Sequence, residues 1–175
     1  MGFIILSIIL VLIVGLLGFA ASRPDTFSLQ RSKSIKAPAE KIFPLINDFH
    51  NWETWSPFEK LDPAMAKSYS VAASGVGAIY EWEGKGKAGK GRMEIASVSE
   101  PSRITIKLHF IKPFECHNTA EFTLQSKGDV TDVTWEMHGP SSFMGKVMSV
   151  FMSMDSMVGK DFNEGLDNIK RVVEG

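Results

Sequence analysis

The side chains best suited to chemistry gather around Pro113. His109 and Glu115 flank the Lys112-Pro113 turn and should face each other across a hairpin, with Lys107 opposite His117, all on one polar strand face. A metal site there would need another ligand converging on the pair, with partners to orient it, and the spacing supplies neither. Surface ion pairing and no metal is the expectation. His50 and His138 stand alone beside turns, and Cys116 has no histidine partner in a recognisable catalytic setting. H-E-x-x-H and G-x-S-x-G motifs are absent. The stretch Gly84 to Lys90, GKGKAGK, approaches a phosphate-binding loop, but Gly91 stands where Ser or Thr should hold magnesium, and the loop joins two strands. It reads as a solvated hairpin whose Lys85, Lys87 and Lys90 could meet anionic headgroups. No cofactor is expected.

A second group of residues is apolar. Tyr80 and Trp82 share one strand face, and Trp135 and Met137 share another. With Phe110, Phe122 and Asn118 they would form an apolar pocket with few polar anchors, the usual composition of a small-molecule site, although a plain core has the same lining. Asn118 is the one polar residue on its apolar face. Met144, Met148 and Phe151 follow at helical spacing, and a Met-rich wall suits a ligand or partner of variable shape. Trp52 and Trp55 read as pins that fix their loop to the core.

These residues need strands and helices to hold them. Strand-like stretches run from Phe27 to Lys36, Lys67 to Ala72, Ala78 to Glu83, Arg92 to Ser99, Ile104 to Ile111, Phe114 to Gln125 and Val130 to His138, with turn residues between them. Pro38 opens a short helix, Ala39 to Phe49, which Pro44 should shorten or bend. From Ser141 the apolar period becomes helical, which predicts one long, bent helix to the C-terminus with Phe151 buried on its stripe. Gly159 and Gly165 weaken this helix by about 1 kcal/mol each and point to a bend or a close backbone approach. Strand, short helix, six antiparallel strands and a long helix define an α+β fold.

The chain begins differently. Phe3 to Ala21 is apolar apart from Ser7, and about 20 such residues rise about 30 Å as a helix, the thickness of a bilayer's hydrocarbon core. A cleaved signal needs a basic start, which is missing, so residues 1–22 read as a single-pass transmembrane anchor. Arg23, Arg31, Lys33 and Lys36 follow the span and nothing basic precedes it, so the remainder, 23–175, is expected to face the cytoplasm. The net charge of −1 comes from 19 basic and 20 acidic residues spread along the chain, which gives no nucleic-acid footprint. With one cysteine, the fold holds without an internal disulfide.

Taken in order, the segments IKAPAEKIFPLINDFHNWETWSPF, VGAIYEWEG, GRMEI, IKPFE, VTWEMHG and FMGKVMSVFMSMDSMVGKDFNEGLDNIK resemble the polyketide cyclase/dehydrase-like branch of the START and Bet v 1-like superfamily. The likeness covers Phe27 to Val173. It implies a helix-grip domain, a curved antiparallel sheet wrapped around a long C-terminal helix, with a cavity for a lipid or other small apolar molecule. No catalytic residue carries over, because NWETWSP and VTWEMHG look like scaffold motifs.

The leading expectation is therefore a membrane-anchored domain that binds a hydrophobic small molecule or lipid through Tyr80, Trp82, Phe110, Asn118, Phe122, Trp135, Met137, Met144, Met148 and Phe151. One alternative is a cyclase or hydratase in which a buried group such as Asn118 or Glu94 moves a proton. Another is a protein-interaction module that uses the Met-rich helix.

Overall fold

The computed structural model describes residues 2–72 and 74–175. Its elements run α1 (Gly2–Ala21), β1 (Thr26–Ile35), α2 (Ala39–Asn47), two 3-10 turns (Phe49–Thr54 and Pro57–Lys60), β2 (Ala66–Tyr69), β3 (Ile79–Glu83), β4 (Lys90–Ser99), β5 (Arg103–Lys112), β6 (Cys116–Lys127), β7 (Val130–Pro140), α3 (Phe143–Phe151) and α4 (Met154–Glu174). The seven strands form one antiparallel sheet in the order β1-β7-β6-β5-β4-β3-β2. The first strand thus closes against the last, and the expected helix-grip arrangement is present.

Alternation sorts the sheet into two faces. Ile104, Ile106 and Leu108 of β5, Asn118, Ala120, Phe122 and Leu124 of β6 and Val133, Trp135 and Met137 of β7 are buried on the inner face, while their neighbours in sequence point to water. Onto that inner face α4 presents Phe162, Leu166 and Ile169. The Phe162 ring stacks on Trp135 with 4.0 Å between centroids, and Phe122 stacks on the same indole at 4.9 Å. Gly165 makes room for this contact: a Cβ there would lie 2.8 Å from the Trp135 ring. Trp55 meets Trp135 edge-on at 5.5 Å.

The segment between α2 and β2 is a second layer of packing. Trp52 donates its indole N–H to the Ile46 carbonyl and Trp55 donates to Leu45, so both tryptophans are buried pins, as expected. Asn168 of α4 donates to the Trp55 carbonyl at 2.8 Å and fastens the helix to this segment. Pro44 lies inside α2, which ends at Asn47 before a 3-10 turn capped by Asp48.

The C-terminal helix departs from expectation. It is two helices, because Met152 takes an extended conformation and the Ser153 hydroxyl accepts from the Ser156 N–H to start α4 afresh. A serine cap followed by Asp155 in the first turn outweighs the continuing apolar period. As a result α3 contributes no residue to the core. Phe151, expected to be buried, is 71% exposed, and α3 packs against α1 instead.

The two glycines of α4 should respond oppositely to alanine. Gly165→Ala drives a methyl into rigid aromatic rings, and overpacking of about 1 to 3 kcal/mol exceeds the helix-propensity gain of about 1 kcal/mol. At Gly159 the nearest atom is the flexible guanidinium end of Arg31, so Gly159→Ala should be neutral or stabilising. Chemical denaturation of both variants checks this, and equal effects would contradict the packing described.

Candidate functional site

The inner face of the sheet gathers seven of the expected site residues and leaves out three. Tyr80, Phe122, Trp135 and Met137 are buried in the aromatic core. Trp82 and Phe110 are half-buried beside them and meet edge to face at 5.9 Å. Asn118 lies on the same face. Met144, Met148 and Phe151 sit on α3, against α1, and are not brought to the others.

Asn118 is the polar anchor of this face. It is 8% exposed, its amide donates to Cys116 Sγ at 3.8 Å, and its Oδ1 has no partner. Directly across the ladder stands Gly139, where a Cβ would lie 2.3 Å from that oxygen, so only glycine leaves the amide in place. The Trp135 indole N–H is likewise buried without an acceptor. An unpaired buried acceptor is costly, about 1 to 3 kcal/mol, and a ligand hydroxyl or amide would relieve it.

Glu94, the other expected proton carrier, is not in the interior. It lies on the polar face between Met93 and Ile95 in sequence and pairs with Arg92 at 2.9 Å, because alternation along β4 sends it outward.

The buried charge that sequence reasoning missed is Glu59. Its carboxylate accepts from the Tyr80 hydroxyl at 2.8 Å and forms an ion pair with Lys67 at 2.7 Å, and its side chain is only 7% exposed. Pro57 starts the 3-10 turn that carries it inward. Burial, then the charge and hydrogen bond of Glu59, push the Tyr80 phenol far above its ordinary range. Burial alone would lower the Lys67 ammonium, but hydrogen bonds and charge from Glu53 and Glu59 outweigh it and raise it. The cluster ties the 3-10 turn to β2 and β3. The sequence carried a faint signal for it, an acidic residue two positions after a proline in an aromatic segment.

A groove of about 800 Å³ crosses β1, β7, β6, β5 and β4; Arg92, Lys107, His109, His117, Thr119 and His138 border it, and so do Phe27, Leu108, Asn118 and Gly139. The expected contact between His109 and Glu115 is present at 3.0 Å. The register around Pro113 differs from expectation: His117 lies opposite His109, and Lys107 opposite Thr119. The Gly84 to Lys90 segment is a hairpin loop between β3 and β4, with Lys90 paired to Glu83 and the Lys85 N–H donated to Asp62.

A seven-stranded antiparallel sheet whose apolar face packs on one long helix defines the helix-grip class of domain. The chain belongs to the family described as polyketide cyclase / dehydrase and lipid transport, whose model matches residues 26–174. Among solved structures it is similar to protein CV1439 from Chromobacterium violaceum, at 15% identity over 87% of this chain and 99% of that one, with a TM-score of 0.58. Ara h 8.0201 is similar at 12% identity over 86% of this chain and 96% of that one, with a TM-score of 0.54. The di-domain ARO/CYC BexL from the BE-7585A biosynthetic pathway is similar at 13% identity over 91% of this chain and 53% of that one, with a TM-score of 0.63. At these identities the likeness establishes the fold. No curated protein matches the chain in sequence. Family membership supports a ligand-binding or cyclase role.

The Glu59 cluster has a pH signature. Tyr80 is held protonated in the folded state beyond the pH, near 10, at which it ionises when unfolded, and Lys67 is likewise held protonated. The folded state therefore binds more protons than the unfolded one above pH 10, and stability falls as pH rises through that range. Tyr80→Phe should cost about 1.5 to 3 kcal/mol at pH 7, because a hydrogen bond to a buried carboxylate is lost. The same variant should show a shallower alkaline decline in denaturation midpoints between pH 9 and pH 11, and an unchanged decline would remove Tyr80 as its source.

Proposed function

We propose that the protein is a membrane-tethered helix-grip protein that binds an apolar small molecule or lipid, admitted at the end of its sheet nearest the bilayer. The observation that carries this reading is a coincidence of apolar and basic groups with the end of α1. Thr26 pairs with Pro140, Phe110 with Cys116, and Lys90 with Lys112. One end of the sheet therefore carries the α1–β1 link, the β7–α3 link, the Pro113 hairpin and the β3–β4 loop.

The groups displayed there suit a lipid surface. Gly2–Ala21 is long and apolar enough to cross a membrane, a property signal sequences share. Beside it, α3 leaves Phe143, Met144 and Phe151 in solvent, Met152 follows at the helix break, and the hairpin exposes Ile111 and Phe114, the latter by 62%. Lys85, Lys87 and Lys112 are exposed at the same end, each worth about 1 kcal/mol near an anionic leaflet. Arg23 donates to the Ser149 carbonyl at 3.3 Å, and Lys146 pairs with Asp25, so α3 is fastened to the foot of α1. An amphipathic helix so placed lies in the interfacial plane. Continuity with α1 favours lipid over a protein partner as what covers this face.

Asn118 supports the location of the bound molecule, since its unpaired oxygen lies just inside that end of the sheet. An apolar chain would lie along Phe110, Leu108 and Met137, with its polar group on the amide. Arg23, Arg31, Lys33 and Lys36 favour a cytoplasmic domain by the positive-inside rule. Cyclase or hydratase chemistry is the second reading, favoured by the family description. Asn118 would then orient a reactive chain, since an amide does not exchange protons near neutral pH.

Native mass spectrometry of the full chain released from detergent tests the binding. An apolar molecule should leave with the wild-type protein and be depleted in Asn118→Leu, whose stability should equal or exceed wild type because an unpaired acceptor has been removed. Retention of the molecule by a folded Asn118→Leu would overturn the assignment. Carbonate washing separately tests the anchor: full-length protein should stay in the membrane pellet, and a soluble form beginning near Ser22 would refute it.

A further inference from the structure

We infer that His109, His117 and Glu115 form a binding site for one divalent transition-metal ion, zinc being the best fit, on the polar face of the sheet. The antiparallel register sets His109 directly opposite His117, and their imidazoles stack with 4.0 Å between centroids and 20° between planes. Glu115, on the Pro113 hairpin between them, brings Oε1 to 3.0 Å from His109 Nε2. One nitrogen from each histidine and one carboxylate oxygen all lie within 4.8 Å of one another.

Two imidazoles and a carboxylate form a donor set that borderline-soft divalent ions take, with one position left open. Donors bound to one zinc at about 2.0 to 2.1 Å in a tetrahedron lie about 3.4 Å apart, so closing on an ion asks the stacked rings to tilt until their in-plane lone pairs converge and the donors to draw together by up to roughly 1.4 Å. The half-buried and exposed side chains involved can make such shifts by rotating about their own bonds. The histidines stand on adjacent strands, which fixes their Cα positions, and the carboxylate stands on a turn, which can adjust.

A surface ion pair accounts for His109 and Glu115 but not for His117, whose ring has no hydrogen-bond partner among the described residues. The surrounding charges permit a cation. Arg92, across the ladder from His109, is matched by Glu81 at 3.7 Å and Glu94 at 2.9 Å. His109 and His117 line the same groove as Lys107 and His138, which leaves room for water or a small anion as fourth ligand. Alternation along β6 points His117 and Asn118 to opposite faces of the sheet, so the donor set does not use the amide.

Titration of tag-free full-length protein with cobalt(II), followed by displacement with zinc(II), tests the site. One equivalent of cobalt should produce a saturable visible absorption band that zinc abolishes. His117→Ala and Glu115→Gln should each weaken binding at least about tenfold, since even the partners that orient metal ligands are worth that much. His50→Ala, in the turn after α2, should bind like wild type. Absence of saturable binding, or equal affinity in wild type and a folded His117→Ala, would overturn the inference. Loss of binding in His50→Ala alone would relocate the ion and overturn it equally.

Discussion

The stack of Phe162 on Trp135 is the contact on which the rest of the domain depends. It joins the one long amphipathic helix to the centre of the sheet, and it forms only because Gly165 lets the helix backbone approach the indole. Phe122, Trp55 and Phe58 close around the same ring, so sheet, helix and 3-10 segment share one aromatic centre. Each large ring buries about 150 to 250 Å², which makes this cluster the dominant hydrophobic term of the fold. Ion pairs of α4 with β1, such as Arg31 with Asp155 and Lys33 with Asp167, lie at the surface and fix orientation more than stability.

This centre divides the inner face of the sheet into two zones. Around Trp135 the rings are packed against one another. Toward the end that carries α1, the lining changes to half-buried Trp82, Phe110 and Phe27 around an amide whose oxygen lacks a partner. Asn118 Oδ1 and the Trp135 indole N–H are both buried on this face without a partner. The outer face of the same strands carries a separate chemistry in its histidines. A sheet two residues in period gives each strand both roles, and a mutation on one face leaves the other in register.

Much of the fold could be read in the chain itself. Alternation in β5, β6 and β7 gave their faces, turn residues gave their ends within a few positions, and the spacing of Phe162, Leu166 and Ile169 gave the buried side of α4. The helix break at Met152 escaped the reading because the apolar period runs on through Met148 and Phe151 while the decision rests on a serine cap. Placement of α3 against α1 was equally hidden, since both helices are apolar and periodicity does not say what an apolar face meets. Glu59 was passed over because a glutamate in a loop is ordinarily solvated, and only the turn at Pro57 carries it inward.

Residue order by itself determined the fold class, the apolar first helix, the two-faced strands and the family, because these follow from local period and composition. Tertiary structure decided three things. It fixed the register across Pro113, which sets His109 against His117 and not Lys107, through ladder hydrogen bonds that depend on the whole hairpin. It moved Met144, Met148 and Phe151 from the expected pocket to the apolar first helix, α1. It also left the Asn118 Oδ1 without a partner, since satisfaction of a buried amide depends on which strands, distant in sequence, bring their atoms within about 3 Å of it.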